Sequence, residues 1–461
     1  MDRELSEPLG LVECTPTVDR LRPIGIDLFA GAGGMSLGFE QAGFDVVAAV
    51  EIDPVHAAVH KFNFPACAML TSSAIGLTGA EIRRAAGIGA RRVDVVFGGA
   101  PCQGFSLIGH RAMDDPRNSL VGEFVRIVSE LEARYFVFEN VRGLTLGPHR
   151  QFLEEVIEAF RVAGYRVRVP WHVLDASAYG VPQHRERLIL LGARKGCRVP
   201  EYPLPTTLAA GGAPTLPRLR VGPTCRDALG DLPDVDAFEE LWERDEVKAG
   251  EWGRPSRYGV ELRCLKGLGW HFGYRRKMEP GILTSSIRTR HSDISRRRFS
   301  ETAGGETEPI SRFYRLPADG ICNTLRAGTD AARGAFTSPR PIHYAFPRCI
   351  TVREMARLHG FPDWFRLHET KWHGARQVGN AVPPPLARAI ATVVMSALGV
   401  RPSRPRDTIV LGETSLLRMD TSHAAAYWGV PNPIGKRDRK SGARKRKQEE
   451  IEVERLQAVH A

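Results

Sequence analysis

The stretch IGIDLFAGAGGMSLGFEQAGFDVVAAVEID, residues 24–53, constrains this chain more than any other. Ile24, Ile26 and Leu28 are apolar at strand spacing, and a run of glycines follows. Leu37 and Phe39 to Ala42 then carry helical spacing up to a stop at Gly43, and VVAAV has the texture of a buried strand. A strand feeding a helix through glycines and returning to a second strand is a parallel βαβ unit. The pattern continues. VDVVFGGAP (93–101), YFVFENV (135–141) and RLILLGA (187–193) predict further strands, and FLEEVIEAFRVAGY (152–165) predicts a helix stopped at Gly164. The expectation is an α/β fold with a parallel sheet covered on both faces.

After about residue 196 prolines and glycines multiply, and the sequence predicts no long helix before TVREMARLHGF (351–361). Basic clusters gather in GYRRKM (273–278), IRTRHSDISRRRF (287–299) and LRAGTDAARG (325–334). A second, loop-rich domain is expected there. A helix is predicted to follow the proline-rich entry of QVGNAVPPPLARAIATVVMSALG (377–399), and KRDRKSGARKRK (436–447) predicts a disordered basic end.

The 461 residues suffice for two or three domains, and 43% hydrophobic with 25% charged residues is ordinary for a globular protein. No secretory leader and no run near the length of a spanning helix is read, so a cytoplasmic protein without a membrane partner is expected. The net charge of +11 points to a polyanionic partner or to a solvated basic surface. The eight cysteines are scattered, with no CxxC pair and no metal-ligand spacing; neither a disulfide framework nor a metal is expected.

The glycine turn lies where a strand delivers the chain to the ligand-binding edge of such a sheet. Gly31 and Gly33 match the dinucleotide pattern G-x-G-x-x-G, but its third glycine place holds Ser36. That weakens a pyrophosphate cofactor and leaves a nucleoside with a carboxylate tail, such as S-adenosylmethionine (AdoMet); a turn serving only packing stays open. Glu51, ending the next strand, is placed to accept hydrogen bonds from ribose hydroxyls.

GGAPCQGFS (98–106) brings Cys102 to the same edge, as a nucleophile or as an inert buried thiol. A zinc deaminase would need P-C-x-x-C, and Phe105 occupies the second cysteine's place. FENV puts Glu139 and Asn140 at another strand end. QHRER sets Gln183, Arg185 and Arg187 at alternating positions, as a cluster aimed at a crevice or as an exposed basic strand start.

Taken in order, DLFAGAGG, GGAPCQGFS, FENV, QHRER, RCITVREMARLHGFP and QVGNAVPPP, with DDPRNSL (114–120) after the cysteine, resemble the cytosine-5 DNA methyltransferases of bacterial restriction–modification systems. The resemblance spans roughly residues 24–395. It implies a Rossmann-like AdoMet-dependent sheet domain over 21–200, completed by 376–400. A smaller, loop-rich target-recognition domain would cover 201–375, between a flexible leader (1–20) and a basic C-terminal tail (401–461). It further implies Cys102 as nucleophile, Glu139 as the acid at the ring edge, and Arg185 and Arg187 as arginines orienting the site and the base carbonyl. Phe29, Gly31, Gly33, Glu51, Ile52, Pro101, Leu120 and Asn380 stand at positions similar to the family's AdoMet contacts. The family's usual aspartate near the adenine amino group is absent from LTSSAIG (70–76), which leaves Ser73 or backbone to hold the adenine.

The implied activity is methyl transfer to carbon 5 of a flipped-out cytosine in duplex DNA by a monomer, with residues 104–119 closing over the DNA. A cognate restriction endonuclease would act separately in the nucleoid-containing cytoplasm. Two alternatives remain at this stage: a tRNA-directed relative with the same catalytic blocks, and a DNA-binding module without turnover.

Overall fold

A computed structural model describes residues 22–101, 119–147, 149–208, 219–329 and 339–432. Cys102, the 104–118 part of the closing segment, the leader up to 20 and the basic run 436–447 lie outside the described residues.

The chain opens with β1 (Ile24–Leu28), α1 (Gly34–Ala42), β2 (Asp45–Val50), α2 (Pro54–Asn63), β3 (Ala68–Leu70), α3 (Gly79–Ala85) and β4 (Val95–Gly98). It continues through α4 (Ser119–Glu130), β5 (Tyr135–Val141), α5 (His149–Val162), β6 (Tyr165–Val167), β7 (His172–Asp175) and β8 (Glu186–Arg194). These eight strands form one sheet in the order β3-β2-β1-β4-β5-β8-β6, with β7 also paired to β8.

The sheet is mixed, which corrects the all-parallel expectation. β3, β2, β1, β4 and β5 pair in parallel, whereas β8 runs antiparallel to β5, β6 and β7. The cause is the connection. A crossover helix returns the chain in the same direction, but β7 reaches β8 through a hairpin-like loop, residues 176–185, that contains the 3-10 turn Ala176–Tyr179 and no crossover helix, so β8 runs back along β7.

Both faces are covered, as the strands' unbroken apolar texture requires. Phe124, Phe152, Val156 and Phe160 of α4 and α5 pack on one face. Met35 and Phe39 of α1 pack on the other with Leu386, Ile390 and Val394 of α11 (Pro384–Leu398, defined with its neighbours below). The approach of α1 to α11 is very close: a Cβ on Gly38 would stand 2.4 Å from the Ala387 Cβ.

Beyond β8 the described residues hold short elements: the two-residue ladder of β9 (Thr207–Leu208) with β10 (Arg220–Val221), then α6 (Cys225–Leu229) and β11 (Val247–Lys248). After them come α7 (Arg257–Leu262), β12 (Arg275–Lys277), β13 (Ile282–Leu283) and α8 (Asp293–Glu301). Nine-residue α8 falls in the stretch where no long helix was expected; Arg296 to Arg298 hid it behind a charged face.

The chain then forms α9 (Val352–Leu358), α10 (Lys371–Asn380) and α11. Phe361, Phe365 and Leu367 share a core with Ala30, Leu37 and Phe64 of the sheet unit, so packing against that unit resumes well before residue 376. The span Lys371–Leu398 is apolar enough to cross a membrane, but it is two helices broken before Pro384, and α11 is a core helix.

The segment from 401, expected as tail, is folded to residue 432. β14 (Thr408–Val410) pairs with β12, and α12 (Thr421–Trp428) lies on α2, where the Trp428 indole N–H donates to the Pro54 carbonyl at 3.1 Å. Leu416 and Leu417 provide the apolar contact that the surrounding charge concealed.

Candidate active site

The glycine turn after β1 is held open by backbone geometry. Phe29 and Gly31 have φ of 60° and 56°, and Gly33 at 101° is the N-cap of α1. Gly33 must be glycine, because a Cβ there would meet the Phe64 ring at 2.5 Å. Gly31 faces the other way: among the described residues, no atom beyond its chain neighbours lies within 4 Å of where its Cβ would stand.

Glu51 closes the turn from β2. One carboxylate oxygen accepts the Gly31 N–H and the other the Asp53 N–H, each at 2.8 Å. Burial raises its pKa, against lowering by His56 and these backbone donors. Each oxygen keeps a free lone pair, so hydroxyls of a ribose can still be accepted. Beside it Ile52 is 66% exposed, an apolar side chain presented to solvent at the edge of the turn. Asn380, exposed, ends α10, and the following Val382 carbonyl abuts Gly34 at the start of α1. Open space at Gly31, an acid bonded to the Gly31 N–H itself and an exposed aliphatic beside it fit a nucleoside cofactor. Leu120 lies half-buried in the first turn of α4. The Ser73 hydroxyl accepts the Ile75 N–H at 3.1 Å and stays on the surface near this edge.

The second half of the site is built on β4, β5 and β8. Gly98 passes so close to β1 that a Cβ would overlap the Leu28 carbonyl. Gly99 abuts Glu139, whose Oε2 would stand 2.3 Å from a Cβ at that position. The Asn140 amide donates to the Ala100 carbonyl at 3.1 Å, tying β5 to the segment that leaves β4 and reaches exposed Pro101. Residue 102 is the next in the chain.

Glu139 pairs with Arg187, Nε to Oε1 at 2.8 Å, and both side chains are largely buried. Burial is the largest influence on Glu139 and raises its pKa; Arg187 and then Arg185 pull it down. Arg185 is fully buried and donates to the Leu325 carbonyl at 3.0 Å and the Gly379 carbonyl at 2.7 Å. It therefore joins the Leu325 segment and the end of α10 to the edge that carries Glu139 and Arg187. Gln183 continues that seam, accepting the Leu325 N–H at 3.0 Å. The alternation in QHRER thus sends Gln183 and Arg185 into the seam, and Arg187 alone meets the carboxylate.

Two groups of residues come together: Phe29, Gly31, Gly33, Glu51, Ile52 and Asn380 at the glycine turn, and Pro101, Glu139, Arg185 and Arg187 at the adjoining edge. Asp27, Ser36 and His60 beneath the turn were not anticipated. The signal was an acid in an otherwise apolar strand, IGIDL.

A sheet with this strand order, a glycine turn at its edge and a buried Glu–Arg pair near Pro101 mark the class. The family model for C-5 cytosine-specific DNA methylases matches residues 24–396, and the chain belongs to that family. Type II methyltransferase M.XorII of Xanthomonas oryzae pv. oryzae is 59% identical over 413 residues, covering 90% of this chain and 94% of that protein. Type II methyltransferase M.AgeI of Thalassovita gelatinovora is 33% identical, covering 81% and 99%. Among solved structures, a prophage-encoded E. coli protein described as a DNA modification methyltransferase is similar, with a TM-score of 0.64 at 33% identity over 82% of this chain and all of that one. The Rossmann-like methyltransferase fold, the membership and the cytosine-5 activity expected from the sequence are thereby borne out.

Proposed function

We propose that this enzyme methylates carbon 5 of a cytosine in duplex DNA, using AdoMet, as the modification partner of a separately acting restriction endonuclease. It would work as a monomer on DNA in the cytoplasm. The 59% identity to a Type II methyltransferase supports the modification role. The observation that carries the chemistry is the Glu139–Arg187 pair held against Gly99, three residues before Cys102.

Carbon 5 of cytosine is a weak nucleophile. Attack of the Cys102 thiolate on carbon 6 makes the ring an enamine, and carbon 5 then becomes nucleophilic. Glu139 meets ring nitrogen 3 and the exocyclic amino group, where charge arrives as the sulfur adds. Arg187 fixes that carboxylate and reaches toward the carbonyl edge, and Arg185 fixes the seam behind it. Bound AdoMet supplies the electrophilic methyl group, held by Phe29, Gly31, Gly33, Glu51, Ile52, Pro101, Leu120 and Asn380. Loss of the carbon-5 proton and expulsion of the thiolate restore the aromatic ring. A stacked base exposes neither face to such groups, so it must leave the helix at a cost of about a few kcal/mol. Residues 104–119 would close over it.

The recognition region, from about 201 to 350, would meet DNA with its basic clusters. The test is incubation of the full-length protein with an oligonucleotide duplex containing 5-fluorocytosine and AdoMet. A stable adduct on Cys102 is expected, and label on tRNA but not DNA would favour an RNA substrate instead.

A further inference from the structure

Beneath the glycine turn, three buried side chains from three elements form a chain of hydrogen bonds. Ser36 Oγ on α1 lies 2.6 Å from Asp27 Oδ2 on β1 and 3.0 Å from His60 Nε2 on α2. Asp27 is 1% exposed and the other two are fully buried. The far end, His60 Nδ1, has no hydrogen-bond partner among the described residues. The chain touches the turn itself, because a Cβ on Gly33 would stand 3.0 Å from His60 Cδ2.

No basic side chain forms an ion pair with Asp27 among the described residues. Among the described residues the titratable groups around it are Glu51 just after β2, His60 on α2 and the buried Cys67 thiol. Lys61 turns its ammonium to the Pro65 carbonyl, and Glu40 is paired with Arg276. Burial pushes Asp27 up to about 8, opposed by its Ser36 bonds, and pushes His60 down to about 3. Two proton arrangements satisfy the chain. In the neutral one Asp27 donates to Ser36, Ser36 donates to His60 Nε2, and His60 carries its hydrogen on Nδ1. In the ionised one Ser36 donates to the Asp27 carboxylate and His60 Nε2–H donates to Ser36. The two differ by one proton, which passes to solvent, and His60 stays uncharged in both.

We propose that Asp27, with Ser36 and His60, is a positioning residue that senses cofactor charge: binding the sulfonium donor drives one proton from this relay into solvent, and binding the neutral thioether product does not. The inference rests on the AdoMet assignment above. A cation brought to the turn favours the ionised form of a buried acid that has no other counter-charge. Methyl transfer removes that cation, the relay takes a proton back, and the turn's preference for the spent cofactor falls. Affinity for the donor over the product therefore rises with pH while Asp27 is still protonated in the free protein, by at most about tenfold per pH unit.

The test is calorimetric titration of the full-length protein at pH 7 with AdoMet and with S-adenosylhomocysteine, in two buffers of different ionisation enthalpy. The buffer dependence of the heat counts protons. Release of about half a proton or more is expected with AdoMet and near zero with the product, with release lost in Asp27→Asn. Equal release with both ligands, none with AdoMet, or release persisting in Asp27→Asn overturns the relay. If Asp27→Asn fails to fold, the contrast between the two ligands on the wild-type protein decides. Binding of neither ligand overturns the cofactor assignment itself and the relay with it.

Discussion

Arg187 Nε stands 2.8 Å from Glu139 Oε1, and Gly99 lies against the other oxygen of the same carboxylate. The acid is thus fixed between a cation on β8 and the backbone just after β4, three residues before Cys102. Nothing at either contact has room to shift without moving the carboxylate.

Gly99→Ala is therefore expected to act on the chemistry. The new methyl would stand 2.3 Å from Glu139 Oε2 and must push the carboxylate from its place. Displacing one preorganised charge-stabilising group costs about 10²–10³ in turnover. The expected outcome is a kcat fall of that order with little change in AdoMet affinity, measured by single-turnover methylation and by calorimetry. Unchanged turnover would mean that Glu139 is not held by this contact.

Arg187→Met should lose activity to a comparable extent, and Arg187→Lys should not restore it. The bond to Glu139 runs from Nε of a planar guanidinium, a direction an ammonium cannot reproduce. Removing the cation also leaves only Arg185 to oppose burial, so the Glu139 pKa rises further. A pH–rate profile displaced to higher pH in Arg187→Met would record it.

Arg185→Met tests the seam instead of the chemistry. Two buried carbonyls, of Leu325 and Gly379, would lose their donor. At about 1–3 kcal/mol for each unsatisfied group, a destabilisation of about 2–6 kcal/mol is expected in urea unfolding. A loss of activity without loss of stability would assign Arg185 to the base and not to the seam.

What the sequence disclosed follows from what each feature depends on. β1, α1 and β2 were legible because apolar spacing and the stop at Gly43 are local. The glycine turn and Glu51 were legible because a strand end fixes the ligand edge. The reversal at β8 was not, since the direction of a strand is set by the length of the preceding connection and by its partner. α12 was hidden because its burial comes from α2, far away in the chain, and not from its own pattern. The Asp27–Ser36 pair was hidden in another way. An acid inside a strand carries no periodicity, and only the fold shows that it faces a hydroxyl in place of a cation.

The basic run beyond residue 432 is expected to add to DNA affinity without specificity. Lys and Arg side chains that meet phosphates release counterions, so each lost contact lowers the salt slope of log Kd by about 0.9. Removing residues 433–461 should weaken non-cognate and cognate duplexes alike and flatten that slope, as measured by fluorescence anisotropy between 50 and 200 mM salt on the order used for such titrations. The cut leaves α12 and its contact with Pro54 in place, so stability should not change. An unchanged slope would remove the tail from DNA binding.

The stability of the cofactor-free protein should also report on Asp27. Its carboxyl is pushed up to about 8 in the folded chain from an ordinary value of 3.8. Between those values the unfolded chain has lost the proton and the folded chain keeps it, so the folded state binds more protons. Stability must then fall as pH rises through this window, by at most about 1.4 kcal/mol per pH unit for this one group, and level off above it. Glu51 and Glu139 are raised as well and contribute slopes of the same sign, so the wild-type profile alone does not isolate Asp27. The difference between wild type and Asp27→Asn does, because the amide cannot ionise yet can still donate to Ser36. Relative to wild type the variant should gain stability steadily from pH 5 to pH 8, read as chemical-denaturation midpoints. A flat difference would place an ionised carboxylate under the glycine turn already, leaving no proton for cofactor binding to displace.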